Sequence, residues 1–391
     1  MRRLRLGPAA LVTAAFVGPG TVATCTLAGA RAGYGLLWAL VFSVFATTVL
    51  QDTAARLGAG ARMGLGTALL EGRGPAVRTG TVVLVLGALA VGNAAYEAGN
   101  MIGALAGLEI LLGESLPRTP ALMTLGAGAA LALSRGGLLF LQRALTAVVV
   151  VMSIAFGFVY LGTGPSPGAA ASGLIPSFPL TEPALAVALV GTTVVPYNLF
   201  LHASASRADA RGPDDARRET VVSIALGGLV SLFILGTAAE LGGADIRTPA
   251  DLARGLEAAL GPSGRTLMGL GLLAAGLTSA LTAPLATGLV VQELFPAAGR
   301  GSFLAASLGI VACGVAIGAT GFDPVALIVA AQVANGILLP VVIAFLLATM
   351  NRRDLLGSHV NGTFANLAGG LVFLVGLGLG LRLVARGLGL S

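Results

Sequence analysis

Long apolar stretches alternate with short polar connections along this whole chain. A helix needs roughly 20 apolar residues to cross a hydrocarbon core. Windows of that kind run Pro8–Ala30, Tyr34–Ala54, Gly80–Leu112, Ala121–Leu133, Ala144–Gly162, Ala184–Leu201, Thr220–Ala239, Leu267–Val291, Phe303–Ile317, Val325–Ala348 and Ala365–Val384. The fourth and ninth are short, and the third is long enough to run past a bilayer surface. The pattern predicts an all-α integral membrane protein with eleven transmembrane helices.

Two of these stretches are interrupted. Gly18-Pro19-Gly20-Thr21 breaks the first, and Val195-Pro196-Tyr197-Asn198 breaks the sixth. Proline cannot donate the helical i→i−4 bond, and glycine leaves helical geometry at low cost. In hydrocarbon an unwound turn is tolerated only where it is buried in protein or lines a wet cavity. The two breaks fall at matching positions of two five-helix halves. That arrangement points to a secondary transporter built from inverted repeats, with the substrate held at the breaks. The expected organisation is one transmembrane domain over residues 1–391. Its first repeat covers 8–162, the second 184–348, and an extra helix 365–384.

Composition sharpens this picture. Only 10% of the residues are charged, against about 25% in soluble domains, and the spans leave no room for a soluble domain. Glycine is frequent and lysine absent, a bias that limits what the glycine total says about helix packing. Cys25 and Cys313 both lie in apolar stretches and read as small core residues, with no disulfide or zinc site implied. Arg2, Arg3 and Arg5 before an apolar run resemble the start of a signal peptide. The run continues too far for that, and ten more come after it, so a retained first span is expected.

The net charge of +6 does not imply nucleic acid, because the arginines gather in short loops. With the N-terminus cytoplasmic, 16 of the 23 arginines fall on the inner side, among them Arg56, Arg143, Arg211 and Arg352. The positive-inside rule therefore puts the N-terminus in and the C-terminus out. A multi-pass protein of the inner (plasma) membrane is expected, monomeric, surrounded by lipid, without a cofactor, and moving a small ion or solute.

Ionisable groups inside spans are expensive and default to functional hypotheses. Glu97 lies deep in the third span and reads as a proton carrier or cation ligand, against the plainer role of a carboxyl held for packing. Asp52 and Arg56, at i and i+4, read as a structural pair. Glu293, near a span end, reads as interfacial. Thr21, Thr24 and Thr26 come after the first break, and Thr192, Thr193, Tyr197 and Asn198 surround the second. Gln332 and Asn335 sit in the tenth span. Buried amides need partners, whereas threonines in helices often bond only their own backbone. His202 ends the sixth span as a gating, relay or capping residue. No nucleophile–base set points to an enzyme.

At these motifs the chain resembles the Nramp family of proton-coupled divalent-metal transporters. Gly18-Pro19-Gly20-Thr21 through Trp38 is similar to that family's Asp-Pro-Gly-Asn segment and the rest of its first span and loop. Gly191-Thr192-Thr193-Val194-Val195-Pro196-Tyr197-Asn198-Leu199-Phe200-Leu201-His202 is similar to its Met-Pro-His-Asn segment. Ala331-Gln332-Val333, Leu338-Leu339-Pro340, Met350-Asn351-Arg352-Arg353 and Val360-Asn361-Gly362 resemble its tenth helix and the loop after it. The resemblance implies a LeuT-type fold, a five-plus-five inverted repeat plus one helix, with helices 1 and 6 broken.

The family's metal ligands do not carry over. Their positions are held here by Gly18, Thr21, Val195 and the carbonyl of Thr192, and the histidine after the second proline by Tyr197. The two acidic positions linked to proton movement appear as Glu97 and Asn100. The resemblance implies a substrate site of Gly18, Gly20, Thr21, Thr24, Thr192, Val195, Tyr197, Asn198, Gln332 and Asn335, with Glu97, Asn100 and His202 for coupling; the metal ligands stay unknown. Two cargo readings stand side by side. One is a divalent cation, Mg²⁺ or Mn²⁺, passing with much of its water. The other is a small anion or zwitterion held by helix amides. A non-transporting relative is the third expectation.

Overall fold

A computed structural model describes residues 17–135, 139–176, 182–209, 212–241 and 245–389. The start of the first predicted span at Pro8, the arginines Arg2, Arg3 and Arg5, and Arg211 lie outside the described residues.

The helices in order are α1 Pro19–Ala32, α2 Leu37–Ala61, α3 Leu65–Leu70, α4 Pro75–Leu112, α5 Arg118–Arg135, α6 Leu139–Gly162, α7 Pro167–Gly173, α8 Pro183–Thr193 and α9 Pro196–Ala208. They continue as α10 Pro213–Leu241, α11 Arg254–Leu260, α12 Pro262–Leu294, α13 Gly299–Gly318, α14 Pro324–Met350, α15 Arg353–Leu356 and α16 Thr363–Gly387. Eight of them open on a proline. Its fixed φ suits the first helical position, and the N–H it lacks has no intrahelical partner there. Prolines therefore mark half of these helix starts, while Pro284 in α12 and Pro340 in α14 lie deep inside a helix.

Among the described residues nine helices are long and apolar enough to span a membrane, counting Pro183–Ala208 as one. The other two of the eleven predicted are α1 and the 18-residue α5, which has an arginine at each end. At 38 residues α4 is about 57 Å long, so it overshoots a hydrocarbon layer of about 30 Å.

Packing places the interrupted span in the middle. Pro183–Ala208 has 94% of its apolar window buried, the largest share of the nine. The long α4 lies against α12, α13 and α14, while α1 packs on α10, α8 on α14, and α9 on α2. Two apolar cores result. One contains Val22, Met101, Leu189, Leu281 and Ile328, and the other contains Tyr96, Val190, Phe200, Ala283 and Leu339. Helices α4, α8, α12 and α14 each pass from one core to the other. At that seam they carry buried polar groups: Glu97 and Asn100, Thr192, Thr282, and Gln332 with Asn335.

Three expectations about isolated residues resolve here. Asp52 and Arg56 are paired at 3.2 Å, and Arg56 also donates to Asn361 Oδ1 at 2.8 Å. Cys25 is buried, but Cys313 is exposed on α13, a helix that turns most of its surface outward. Glu293 is half-buried: its carboxylate accepts from the Gly66 backbone N–H at 2.9 Å and from the Ser204 hydroxyl. It joins α12 to α3 and α9 near the end of its span.

Candidate functional site

The second break is built by its proline. Helix α8 closes with Val194 N–H on Val190 C=O at 2.9 Å. Val194 (φ −97°, ψ 77°) and Val195 (φ −84°, ψ 121°) then leave helical geometry, and Pro196 opens α9. Pro196 has no N–H, so the Thr192 carbonyl loses its i+4 donor. The first break meets it from α1. Gly18 (φ −90°, ψ 176°) is the residue before the helix, and no side chain caps it. The N-terminal ends of α1 and α9 carry partial positive charge, and the C-terminal end of α8 carries partial negative charge.

Side chains tie the two breaks together. Thr21 Oγ1 and Thr192 Oγ1 are 3.1 Å apart and hydrogen bonded. The Gln332 amide fills the space a side chain on Gly20 would need, and its Nε2 donates to Ile328 C=O at 3.2 Å. The Gln332 backbone likewise lies directly against Gly191 on α8. A Cβ on Gly18 would lie 3.1 Å from Ser279 Oγ and 3.4 Å from the Tyr96 hydroxyl oxygen. The Tyr96 ring meets Tyr197 edge to face, with centroids 5.6 Å apart. Thr24, Tyr197, Asn198, Ser279 and Gln332 are all buried; Thr24, Asn198 and Gln332 each have a side-chain oxygen with no hydrogen-bond partner among the described residues, while the Tyr197 and Ser279 hydroxyls interact with the Tyr96 hydroxyl.

The remaining sequence candidates sit around this junction. Val195 is buried and presents only methyls. Asn335 is buried on α14, its Oδ1 3.1 Å from where a Cβ on Gly92 would be, and both its amide atoms are unpartnered. Glu97 is fully buried but faces another way. Successive helical residues point about 100° apart, so with Tyr96 turned to the breaks Glu97 packs directly on Gly314 of α13. Its Oε2 accepts from Asn100 Nδ2 at 3.4 Å, and its Oε1 is unpartnered. His202 is buried on α9, with Nδ1 2.9 Å from Gln51 Oε1 and Nε2 3.5 Å from Thr220 Oγ1.

Tyr96 and Ser279 are the residues that sequence reasoning missed. Tyr96 stands beside Glu97, and the carboxylate drew the attention; helical spacing alone says that the two cannot face the same neighbour. Ser279 sits in a run of small residues where one hydroxyl carries no signal. Among the described residues no group of three His, Cys, Asp or Glu is placed to hold a metal ion. The junction is neutral, oxygen-rich and enclosed.

Comparison with known proteins accounts for this architecture. The description "natural resistance-associated macrophage protein-like", or Nramp, matches residues 9–386. The chain is 28% identical over 394 residues to the divalent metal cation transporter MntH of Pectobacterium carotovorum subsp. carotovorum (strain PC1), covering 97% of this chain and 93% of that one. Its structure resembles the Eremococcus coleocola manganese transporter, with TM-score 0.76, 24% identity, and coverage of 97% of this chain and 86% of that one. It also resembles MhsT in complex with L-phenylalanine, with TM-score 0.64, 14% identity, and coverage of 97% and 98%. The fold is the LeuT-type inverted repeat, and members of the matched family are transporters, not enzymes. This chain, matched over nearly its full length, belongs to the Nramp family.

Proposed function

We propose that the chain is a secondary active transporter of a divalent cation, which crosses the junction of the two breaks with much of its water. It sits in the plasma membrane with its N-terminus cytoplasmic, and the single chain is the transport unit. Family membership and the resemblance to divalent metal cation transporters support the cargo class.

The observation that carries the finer reading is the lining of the junction. Thr21, Thr192, Tyr197, Asn198, Ser279 and Gln332 offer neutral oxygens and no ionised ligand. A stripped Mn²⁺ is best held by carboxylate, imidazole or thioether, and removing its water without charge compensation is costly. Mg²⁺ dehydrates reluctantly and keeps several waters. Hydroxyls and amide carbonyls suit those waters. Glu97, with Asn100 beside it and His202 on α9, supplies the coupling groups in this reading, its carboxyl carrying the proton.

Uptake into proteoliposomes tests this. Mg²⁺ should enter saturably and faster under an inward proton gradient, with Mn²⁺ a poor competitor. Tight Mn²⁺ binding by calorimetry that Thr21→Ala abolishes would overturn the hydrated-ion reading.

A further inference from the structure

A cavity of about 220 Å³ lies between α1, α6, α10 and the short helices Pro249–Ala253 and α11, and it shares no lining residue with the two breaks. Thr26 and Ala30 of α1, Phe156 of α6, Ile234 and Thr237 of α10, and Leu252 form much of its mostly apolar wall. Thr237 is 1% exposed, and its hydroxyl oxygen has no hydrogen-bond partner among the described residues. The charged residues of the lining neutralise each other. Arg254 Nη2 meets Asp251 Oδ1 at 2.5 Å, and Asp251 Oδ2 accepts from the backbone N–H groups of Arg247 and Thr248. Arg254 and Ala258 line the cavity and are exposed, so it reaches the surface beside α11.

We infer that this cavity binds a compact, neutral molecule with an aromatic or branched body and one hydroxyl group. An apolar cavity of about 150 Å³ holds benzene, so about nine non-hydrogen atoms fit here by the same ratio. Water is a poor occupant, because each molecule needs roughly two to four polar partners and most of this wall offers none. A charged ligand would bring an unpaired charge into an apolar space, since Asp251 and Arg254 already engage each other. A plain hydrocarbon or an acyl chain would leave the Thr237 hydroxyl buried and unbonded, which is costly. A hydroxyl on the ligand removes that cost, because threonine both donates and accepts. The occupant touches α1, α6, α10 and the short helices at once. Its binding therefore stabilises the folded chain.

Fluorine NMR on the full-length chain in lipid nanodiscs tests this with matched probes: para-fluorobenzyl alcohol, para-fluorotoluene, para-fluorobenzoate and para-fluorobenzylammonium. Partitioning into lipid does not saturate, whereas a site does, and empty nanodiscs give the baseline. The alcohol should bind saturably and raise the Tm of the chain. Para-fluorotoluene should bind about fivefold more weakly, the worth of one neutral hydrogen bond, and the two ions should show no saturable binding. Thr237→Val keeps the shape and should bring the alcohol down to the level of para-fluorotoluene. Ala258→Trp fills the mouth and should abolish binding of both; if this variant does not fold, Thr237→Val decides alone. The readout involves no transported ion, so its outcome is separate from that of the cation reading. Equal affinity for the alcohol and para-fluorotoluene, unmoved by Thr237→Val, would overturn the inference in favour of a plain apolar seat. An alcohol signal that never saturates, or saturable binding of either ion, would overturn it outright.

Discussion

Thr21 on α1 and Thr192 on α8 are hydrogen bonded at 3.1 Å although 171 residues separate them in sequence. The bond links the start of α1 to the end of α8, where the second of these spans leaves helical geometry. Valine matches threonine in shape, so Thr21→Val and Thr192→Val each remove the bond while keeping the packing. Each should lower stability by about 1 kcal/mol, read as a drop in Tm in detergent. The double variant should cost less than the two single losses added, because neither partner is then left unpaired. Additive losses would show that the two hydroxyls do not act as a pair.

Gly20 and Gln332 make a second contact between the repeats. A methyl group on Gly20 would overlap the Gln332 amide, and the amide cannot retreat freely because its Nε2 is bonded to Ile328 C=O. Gly20→Ala should therefore displace α1 from α14, with transport reduced about tenfold or more, the effect of a barrier shift near 1.4 kcal/mol. Combining it with Gln332→Ser removes the overlap and should recover the spacing, though not the amide. Recovery of thermal stability in the double variant checks the argument.

The break at Pro196 was readable because a proline inside an apolar run is visible without any structure, and Pro19 likewise marks the start of α1. The order of spans was readable because hydrocarbon demands long apolar runs. Which polar residues share a cavity was not. Glu97 stood out for its charge, but it packs on Gly314, and the side chain facing Gly18 belongs to its neighbour Tyr96. Such orientation depends on which helix lies on each side of α4, a three-dimensional fact that local pattern does not contain. Ser279 was hidden for the same reason, and Cys313 proved exposed because apolar and buried mean different things in a membrane.

Glu293 suggests how one side of the junction is kept closed. Its carboxylate accepts from the Gly66 N–H at the start of α3 and from the Ser204 hydroxyl on α9. Any movement of α9 away from α12 must break the second of these bonds. Glu293→Ala should weaken closure by about 1.4 kcal/mol, near the value of a hydrogen bond to a charged group, and so raise the open population about tenfold. A cysteine placed at the buried Ser206, in a chain also carrying Cys313→Ser, should then react with maleimide correspondingly faster. An unchanged labelling rate would assign Glu293 a static role.

Asp251 offers a pH test outside the membrane. Burial alone would raise its carboxyl, but hydrogen bonds from Thr248 and Arg247 and the charge of Arg254 outweigh that and hold it below the ordinary range. The backbone bonds are 2.7 Å from Thr248 and 3.0 Å from Arg247. With the folded value below the unfolded one, near 3.9, its stabilisation is present above that pH and is lost as pH falls through the folded value. Asp251→Asn should cost about 1 kcal/mol at neutral pH, as for a lost helix cap. Its Tm should converge with that of the unmodified chain once pH has fallen through the lowered folded value. Parallel curves down to that pH would remove Asp251 from the account.

The coupling role proposed for Glu97 makes the most demanding prediction. The carboxyl is fully buried, held on one side by Asn100 and packed against Gly314, with Oε1 unpartnered. A buried carboxyl that gains and loses a proton as water reaches it alternately from each side links proton movement to the cycle. Tyr96, one residue before it, touches Tyr197 at the second break, so a change of charge at Glu97 acts on the junction through the same turn of α4. Glutamine keeps the shape and the bond to Asn100 while removing the charge. Glu97→Gln should therefore fold normally, elute as the unmodified chain does, and still move substrate down its own gradient. It should lose acceleration by an inward proton gradient. A folded variant that responds to pH as the unmodified chain does would leave Glu97 as a packing residue of α4 and α13 and shift the search for coupling to His202 and its contacts with Gln51 and Thr220.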